Sequence, residues 1–165
     1  MRVYFDNAAS TPIRDEVSQF LKSGDAEEFY NPSSVHQEGQ KSRIKINQAR
    51  DLVSDIFECQ TENILFTSSG TEACNYIISH AIHSYKIENI LYLETEHSAV
   101  IDTIYSTNAK RFKCQMTRDG VINLADLENQ LKCLSGKTLV CVMLINNETG
   151  VLQPIEDISK ICRKY

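Results

Sequence analysis

Along this chain, short apolar runs alternate with segments whose apolar residues recur every three to four positions. The first pattern reads as strand, the second as a helix with one face turned to a core. Apolar runs over 3–6, 64–66, 89–94, 111–116 and 138–145 are the predicted strands. Val17, Phe20 and Leu21 mark a short helix after Pro12. A long helix is predicted over 35–57, with Ala49, Leu52, Val53, Ile56 and Phe57 as its core-facing stripe. Ser34 and Gln37 have capping-box spacing at its start, and Arg43, Lys45 and Arg50 read as solvated charges on its rim. A second helix follows Gly70 and turns Ile77, Ile78, Ala81 and Ile82 inward. Further helices are predicted over 99–105, after the cap Asn123 with Leu124, Leu127 and Leu131 on one face, and from Ile155 with Ile158 and Ile161. The run over 138–145 does not alternate, which is how a strand covered on both faces reads. Strands alternating with helices predict an α/β class, a mainly parallel sheet flanked by helices.

In such sheets ligands gather beyond the carboxyl ends of the strands. Three polar stretches fall there: Ser68-Ser69-Gly70-Thr71, Glu96-His97 and Asn146-Asn147-Glu148-Thr149-Gly150. The first joins a strand to a helix. Helix N-termini carry unpaired N–H groups and partial positive charge, so hydroxyls and a glycine at that point suit a phosphate. The same residues also suit an ordinary N-cap, with Ser69 or Thr71 satisfying the first turn. Taken alone, that is the commoner use. An imidazole at 97 and an amide at 147 on the same rim suit a phosphorylated aromatic cofactor. His97 could stack on a flat ring or pass a proton, and Asn147 could bond a ring hydroxyl. His80 and His83 lie three apart on one helix without a second ligand set, which favours a helix-end role over metal.

Composition narrows the partners. In 165 residues, hydrophobic content is 42%, charged content 24% and net charge −5. These values describe a globular domain with no basic cluster for nucleic acid. No run is long enough for a membrane span, and Met1-Arg2-Val3-Tyr4-Phe5-Asp6 lacks the apolar core of a signal peptide. A cytoplasmic location is expected. The six cysteines show no C-x-x-C spacing and read as buried free thiols.

Five motifs, in order, resemble the N-terminal half of cysteine desulfurases, which are class V pyridoxal-phosphate-dependent aminotransferase-like enzymes. They are Asp6-Asn7-Ala8-Ala9-Ser10-Thr11-Pro12, Asn31-Pro32-Ser33-Ser34-Val35-His36, Phe66-Thr67-Ser68-Ser69-Gly70-Thr71-Glu72-Ala73-Cys74-Asn75, Glu96-His97-Ser98-Ala99-Val100 and Asn146-Asn147-Glu148-Thr149-Gly150-Val151-Leu152-Gln153-Pro154. The resemblance implies part of a fold-type I large domain. Residues 1–13 would be an arm contributing to a small domain, and 14–165 the first half of the cofactor-binding large domain. It implies pyridoxal 5'-phosphate as cofactor, held at its phosphate by Gly70 and Thr71. It places His97 as the catalytic residue stacked on the ring, Asn147 at the ring hydroxyl and Asn31 near the substrate. It further implies L-cysteine as substrate, a sulfur-acceptor protein, iron–sulfur cluster assembly or thiolation as destination, and a homodimer. Cys74 and Thr149 depart from the family pattern, where asparagine or another polar residue and isoleucine are common.

Family members are more than twice as long. The segments bearing the aspartate at the pyridine nitrogen, the anchoring lysine, the persulfide cysteine and the carboxylate-binding arginine have no match here. The chain reaches Tyr165 in the middle of a helical pattern, as a truncation would. Other readings are a half-domain that pairs with a partner chain or has lost catalysis, and another class V enzyme such as a selenocysteine lyase. Without the lysine and the cysteine, the chemistry lacks its covalent anchor and its nucleophile. The purified chain is therefore expected to form no alanine from free cysteine. Steady alanine release would overturn this.

Overall fold

Ile90, Leu91, Tyr92 and Leu93 have almost no exposed surface, and a sheet is built around them. The computed structural model describes residues 3–23 and 30–165. In chain order the elements are α1 (Asp15–Lys22), α2 (Gln37–Ile56), a 3-10 turn (Thr61–Asn63), α3 (Gly70–Tyr85), β1 (Asn89–Tyr92), α4 (Ser98–Ser106), β2 (Lys110–Lys113), α5 (Leu124–Cys133), β3 (Thr138–Cys141) and α6 (Ile155–Cys162). They fall into two units, 1–66 and 67–165.

In the second unit, β1 is central and parallel to both neighbours, in the order β2-β1-β3. Successive side chains of a strand point to opposite faces. Leu91 and Leu93 accordingly join one apolar cluster, closed by Leu127 of α5 and Ile158 of α6. Ile90 and Tyr92 join the other, closed by Ile78 of α3 and Ile104 of α4. This is the expected α/β arrangement, with helices on both faces. Buried polar groups at its margins are paired. The Asn89 side chain donates to the Ser135 carbonyl at 2.8 Å. Gln153 accepts from the Ile122 N–H at 2.9 Å and donates to the Gly120 carbonyl at 2.8 Å.

The path of the chain creates a crevice. From β1 it crosses the α3/α4 face to β2, then returns over the α5/α6 face to β3. Strand order thus reverses beside β1, and the carboxyl ends of β1 and β3 flank a topological switch point.

Several strands are shorter than the hydrophobic runs suggest. Residues 3–6 are exposed coil, and 64–66 form no ladder among the described residues. Apolar runs at these places lack the neighbouring strand that would satisfy their N–H and C=O groups. The last strand stops at Cys141, and 142–145 leave the ladder before an isolated bridge joins Ile145 to Leu152. Its two faces are covered but not fully, all four residues being partly buried.

The first unit departs more. His36, rather than Ser34 with Gln37, caps α2: its side chain accepts from the Gly39 N–H at 3.3 Å. The backbone at 34 is bent into a turn, its N–H donating to the Asn31 carbonyl, which displaces Ser34 from the cap. The stripe on α2 is not core-facing. Leu52, Ile56 and Phe57 are 66%, 77% and 71% exposed, because no described element of this unit packs over them. Arg43 and Arg50 are loop anchors rather than free rim charges, donating to the Pro32 carbonyl at 2.8 Å and the Ile64 carbonyl at 3.2 Å. Part of the predicted loop over 25–34 lies in 24–29, outside the described residues.

In the second unit, Ile77 of α3 is exposed rather than packed in the core, while Ile78 is buried. His83 accepts its expected helix-end role, its Nδ1 lying 2.7 Å from the Ser79 carbonyl. The thiols divide. Cys114 is buried, Cys74, Cys141 and Cys162 are half-buried, and Cys59 and Cys133 are exposed, contrary to a uniformly buried set. Burial pushes the Cys114 and Cys141 thiols up to about 12, so neither is a thiolate near neutrality.

Leu127→Ala would open a cavity in the α5/α6 face and cost about 2–5 kcal/mol, read as a lowered midpoint in denaturant. Iodoacetamide near neutral pH is expected to label Cys59 and Cys133 first and to spare Cys114 and Cys141 until the chain unfolds. Mass mapping of the labelled peptides checks the order.

Candidate functional site

The turn into α3 is shaped by its own polar residues. Ser69 is extended, with φ −165° and ψ 163°, and its Oγ accepts from the Glu72 N–H at 3.2 Å. This is the ordinary N-cap. The Glu72 carboxylate reaches back one residue further, accepting the Ser68 N–H at 2.6 Å and the Ser68 hydroxyl at 2.7 Å. These bonds, the hydroxyl first, hold the Glu72 carboxyl below its usual range. Ser68 is therefore engaged within the turn and is not a free phosphate ligand. What stays open is the first turn of the helix. Gly70 and Thr71 are its first two residues, whose N–H groups have no intrahelical acceptor. A Cβ placed on Gly70 would meet nothing within 4 Å, so glycine leaves that side clear for approach.

These two residues line a cavity of about 680 Å³ that runs along β3 past its carboxyl end and takes in the connection that follows β1. That volume falls within the range of small-molecule and cofactor sites. His97 lines the same cavity. It is the N-cap of α4, and its Nδ1 accepts from the Ala99 N–H at 3.1 Å. An accepting Nδ1 leaves the neutral ring with its proton on Nε2, so the free edge of the imidazole is a donor.

The turn at 146–150 stands beside this rim. Asn146 Nδ2 donates to the Thr95 carbonyl at 2.9 Å. Its Oδ1 accepts from the N–H groups of Glu148 and Thr149 and from the Thr149 hydroxyl. Gly150 closes the turn at φ +73°, a conformation that favours glycine. The first asparagine of the pair is thus the structural one. Asn147 is exposed on the turn and is not among the residues lining the cavity.

Asn31 belongs to the first unit. Its Oδ1 accepts from the Ser33 N–H at 2.9 Å, an Asx turn. Gly39 presses against this loop so closely that a Cβ there would lie 2.7 Å from the Asn31 carbonyl. The loop is therefore ordered by α2.

The structure also brings forward residues to which pattern reading attached no role. Glu96 lines the cavity and is half-buried, and its Oε1 accepts from the Met143 N–H at 2.8 Å. Burial raises its carboxyl above the usual range, partly offset by the Met143 bond. Cys74 and Cys141 line the same cavity. The available signal for Glu96 was its place, a carboxylate between an apolar strand and an imidazole. A further cleft of about 550 Å³ includes Ile87, Glu88 and Lys110 at the amino ends of the strands, where ligand sites of parallel sheets are not built.

Residues 3–165 match the family model described as aminotransferase class-V. The chain is 34% identical to cysteine desulfurase IscS of Dictyoglomus turgidum over 168 residues, covering 99% of this chain and 42% of that protein. It is 31% identical to the mitochondrial cysteine desulfurase of Arabidopsis thaliana, covering 99% of this chain and 37% of that one. Among solved structures, a NifS-like protein superposes with a TM-score of 0.89 at 32% identity, over 99% of this chain and 46% of that chain. SspA in complex with cysteine superposes with 0.85 at 29%, over 98% and 47%. The chain thus spans about two-fifths of the length of the curated relatives it matches. With a parallel sheet, a rim cavity and a family match over nearly its whole length, the chain belongs to the class V aminotransferase family.

Proposed function

We propose that this chain is the N-terminal part of a pyridoxal-phosphate-dependent cysteine desulfurase, contributing the phosphate-binding and ring-facing half of its site. The observation that carries this reading is one cavity lined by Gly70, Thr71 and His97. The fit to the cofactor rests on the donors present. The open N–H groups of Gly70 and Thr71 at the start of α3 suit a phosphate dianion. The cavity volume suits one substituted pyridine ring.

Bound there, pyridoxal phosphate would supply an electron sink for bond breaking at the substrate α-carbon. This chain's residues bind and orient. Gly70 and Thr71 hold the phosphate end. His97 would lie against the pyridine ring, with its Nε2–H available to donate a hydrogen bond. The family resemblance assigns Asn147 to the ring hydroxyl and Asn31 to the substrate; neither is among the residues lining this cavity. Residues 1–13 act as an arm of a small domain, and 14–165 as the first half of the large one. The relatives' names support L-cysteine as substrate, and one solved relative is a complex with cysteine. A sulfur-acceptor protein, delivery to iron–sulfur clusters, a homodimer and a cytoplasmic setting complete the proposal. No helix of the described residues is long and apolar enough to cross a membrane.

The test is titration with pyridoxal phosphate, alone and with a polypeptide matching the remainder of the relatives, followed by near-visible absorbance. A new band in the combined sample is expected, and its absence there would sink the assignment. Gly70→Pro removes one N–H at a position where proline is tolerated, after the extended Ser69. It should weaken binding about tenfold or more, the size of a lost hydrogen bond to a charged group, while helicity is kept.

A further inference from the structure

We propose that Glu96 is a positioning residue whose side chain clasps the Met143 N–H and so sets where His97 stands at the cavity wall. The ladder between β1 and β3 ends with the pair Tyr92 and Cys141. Past that point the two chains separate, one into the connection that carries His97, the other toward the turn at 146–150. Two side-chain bonds replace the missing ladder. Asn146 Nδ2 reaches the Thr95 carbonyl at 2.9 Å, and the Met143 N–H reaches Glu96 Oε1 at 2.8 Å.

The second bond is the one adjacent to His97. On its other side the imidazole is held by the Ala99 N–H, so residue 97 is pinned from both directions. The site would not choose an acid for its charge. Glu96 stands half-buried on the wall of a cavity that also offers open N–H groups to an anion, and a carboxylate there repels what those groups attract. What glutamate supplies is an acceptor oxygen at the right reach. Glutamine has the same reach without the charge. Aspartate keeps the charge and is one methylene too short.

The clasp itself is independent of the function proposed above, while its consequence for cofactor binding rests on that reading. The experiment compares Glu96→Gln and Glu96→Asp in the 165-residue chain. Hydrogen exchange at the Met143 amide is measured together with the His97 ring signals by NMR. Glu96→Gln should keep Met143 protection within about threefold and leave the His97 signals in place. Glu96→Asp should speed exchange about tenfold and shift the His97 signals. Equal exchange in both variants and the parent would overturn the clasp, as would loss of protection in Gln equal to that in Asp. Unmoved His97 signals in Asp would overturn the positioning role. In the pyridoxal phosphate titration, Asp should weaken binding and Gln should not. A parent chain that takes up no cofactor even with the remaining polypeptide fails the functional proposal, and the exchange pattern still decides the clasp.

Discussion

Burial of one strand on both faces organises the second unit. Ile90, Leu91, Tyr92 and Leu93 are sealed from water, the three aliphatic side chains each worth about 1.5–3 kcal/mol on burial. A strand buried in this way needs helices above and below it and a parallel partner on each edge. The chain meets both needs by crossing one face to β2 and returning over the other to β3. The crevice beyond β1 follows from that reversal rather than from any residue lining it. The cavity with Gly70, Thr71 and His97 opens there, its mostly apolar wall carrying a few polar groups.

Around that opening polar residues cap the helices, and His97 both caps its helix and lines the cavity. Ser69 caps α3 and His97 caps α4. Capping is not idle for a histidine, since engaging Nδ1 decides which nitrogen carries the proton. The two glutamates near the rim show how environment separates identical side chains. Glu72, exposed and bonded to Ser68, is held low, while Glu96, half-buried, is pushed up. One stabilises the turn as an anion. The other carries the cost of desolvation to keep a bond across the end of the sheet.

The first unit follows a different logic. Helix α2 has the spacing of a core helix, yet Leu52, Ile56 and Phe57 stay in solvent. What α2 does secure is a loop: Gly39 packs under Asn31, and Arg43 holds the Pro32 carbonyl. The apolar stripe finds no cover within its own unit among the described residues. The relatives that match this chain are more than twice its length.

Periodicity alone was enough to place α3, α5 and α6, the Asn123 cap, and the α/β class. These depend on neighbours within a turn of helix or on alternation within a strand, which a linear pattern carries. The motifs around Gly70, His97 and Asn147 were legible for the same reason, as short strings at strand ends. Strand limits at 3–6, 64–66 and beyond Cys141 were not legible, because a strand exists only where a second chain segment pairs with it. Nor was the exchange of Ser34 for His36 at the α2 cap, which depends on a turn closing on Asn31. Glu96 is the sharpest case. Its identity is local, but its bond crosses 47 positions to Met143, and only tertiary structure brings those two atoms together.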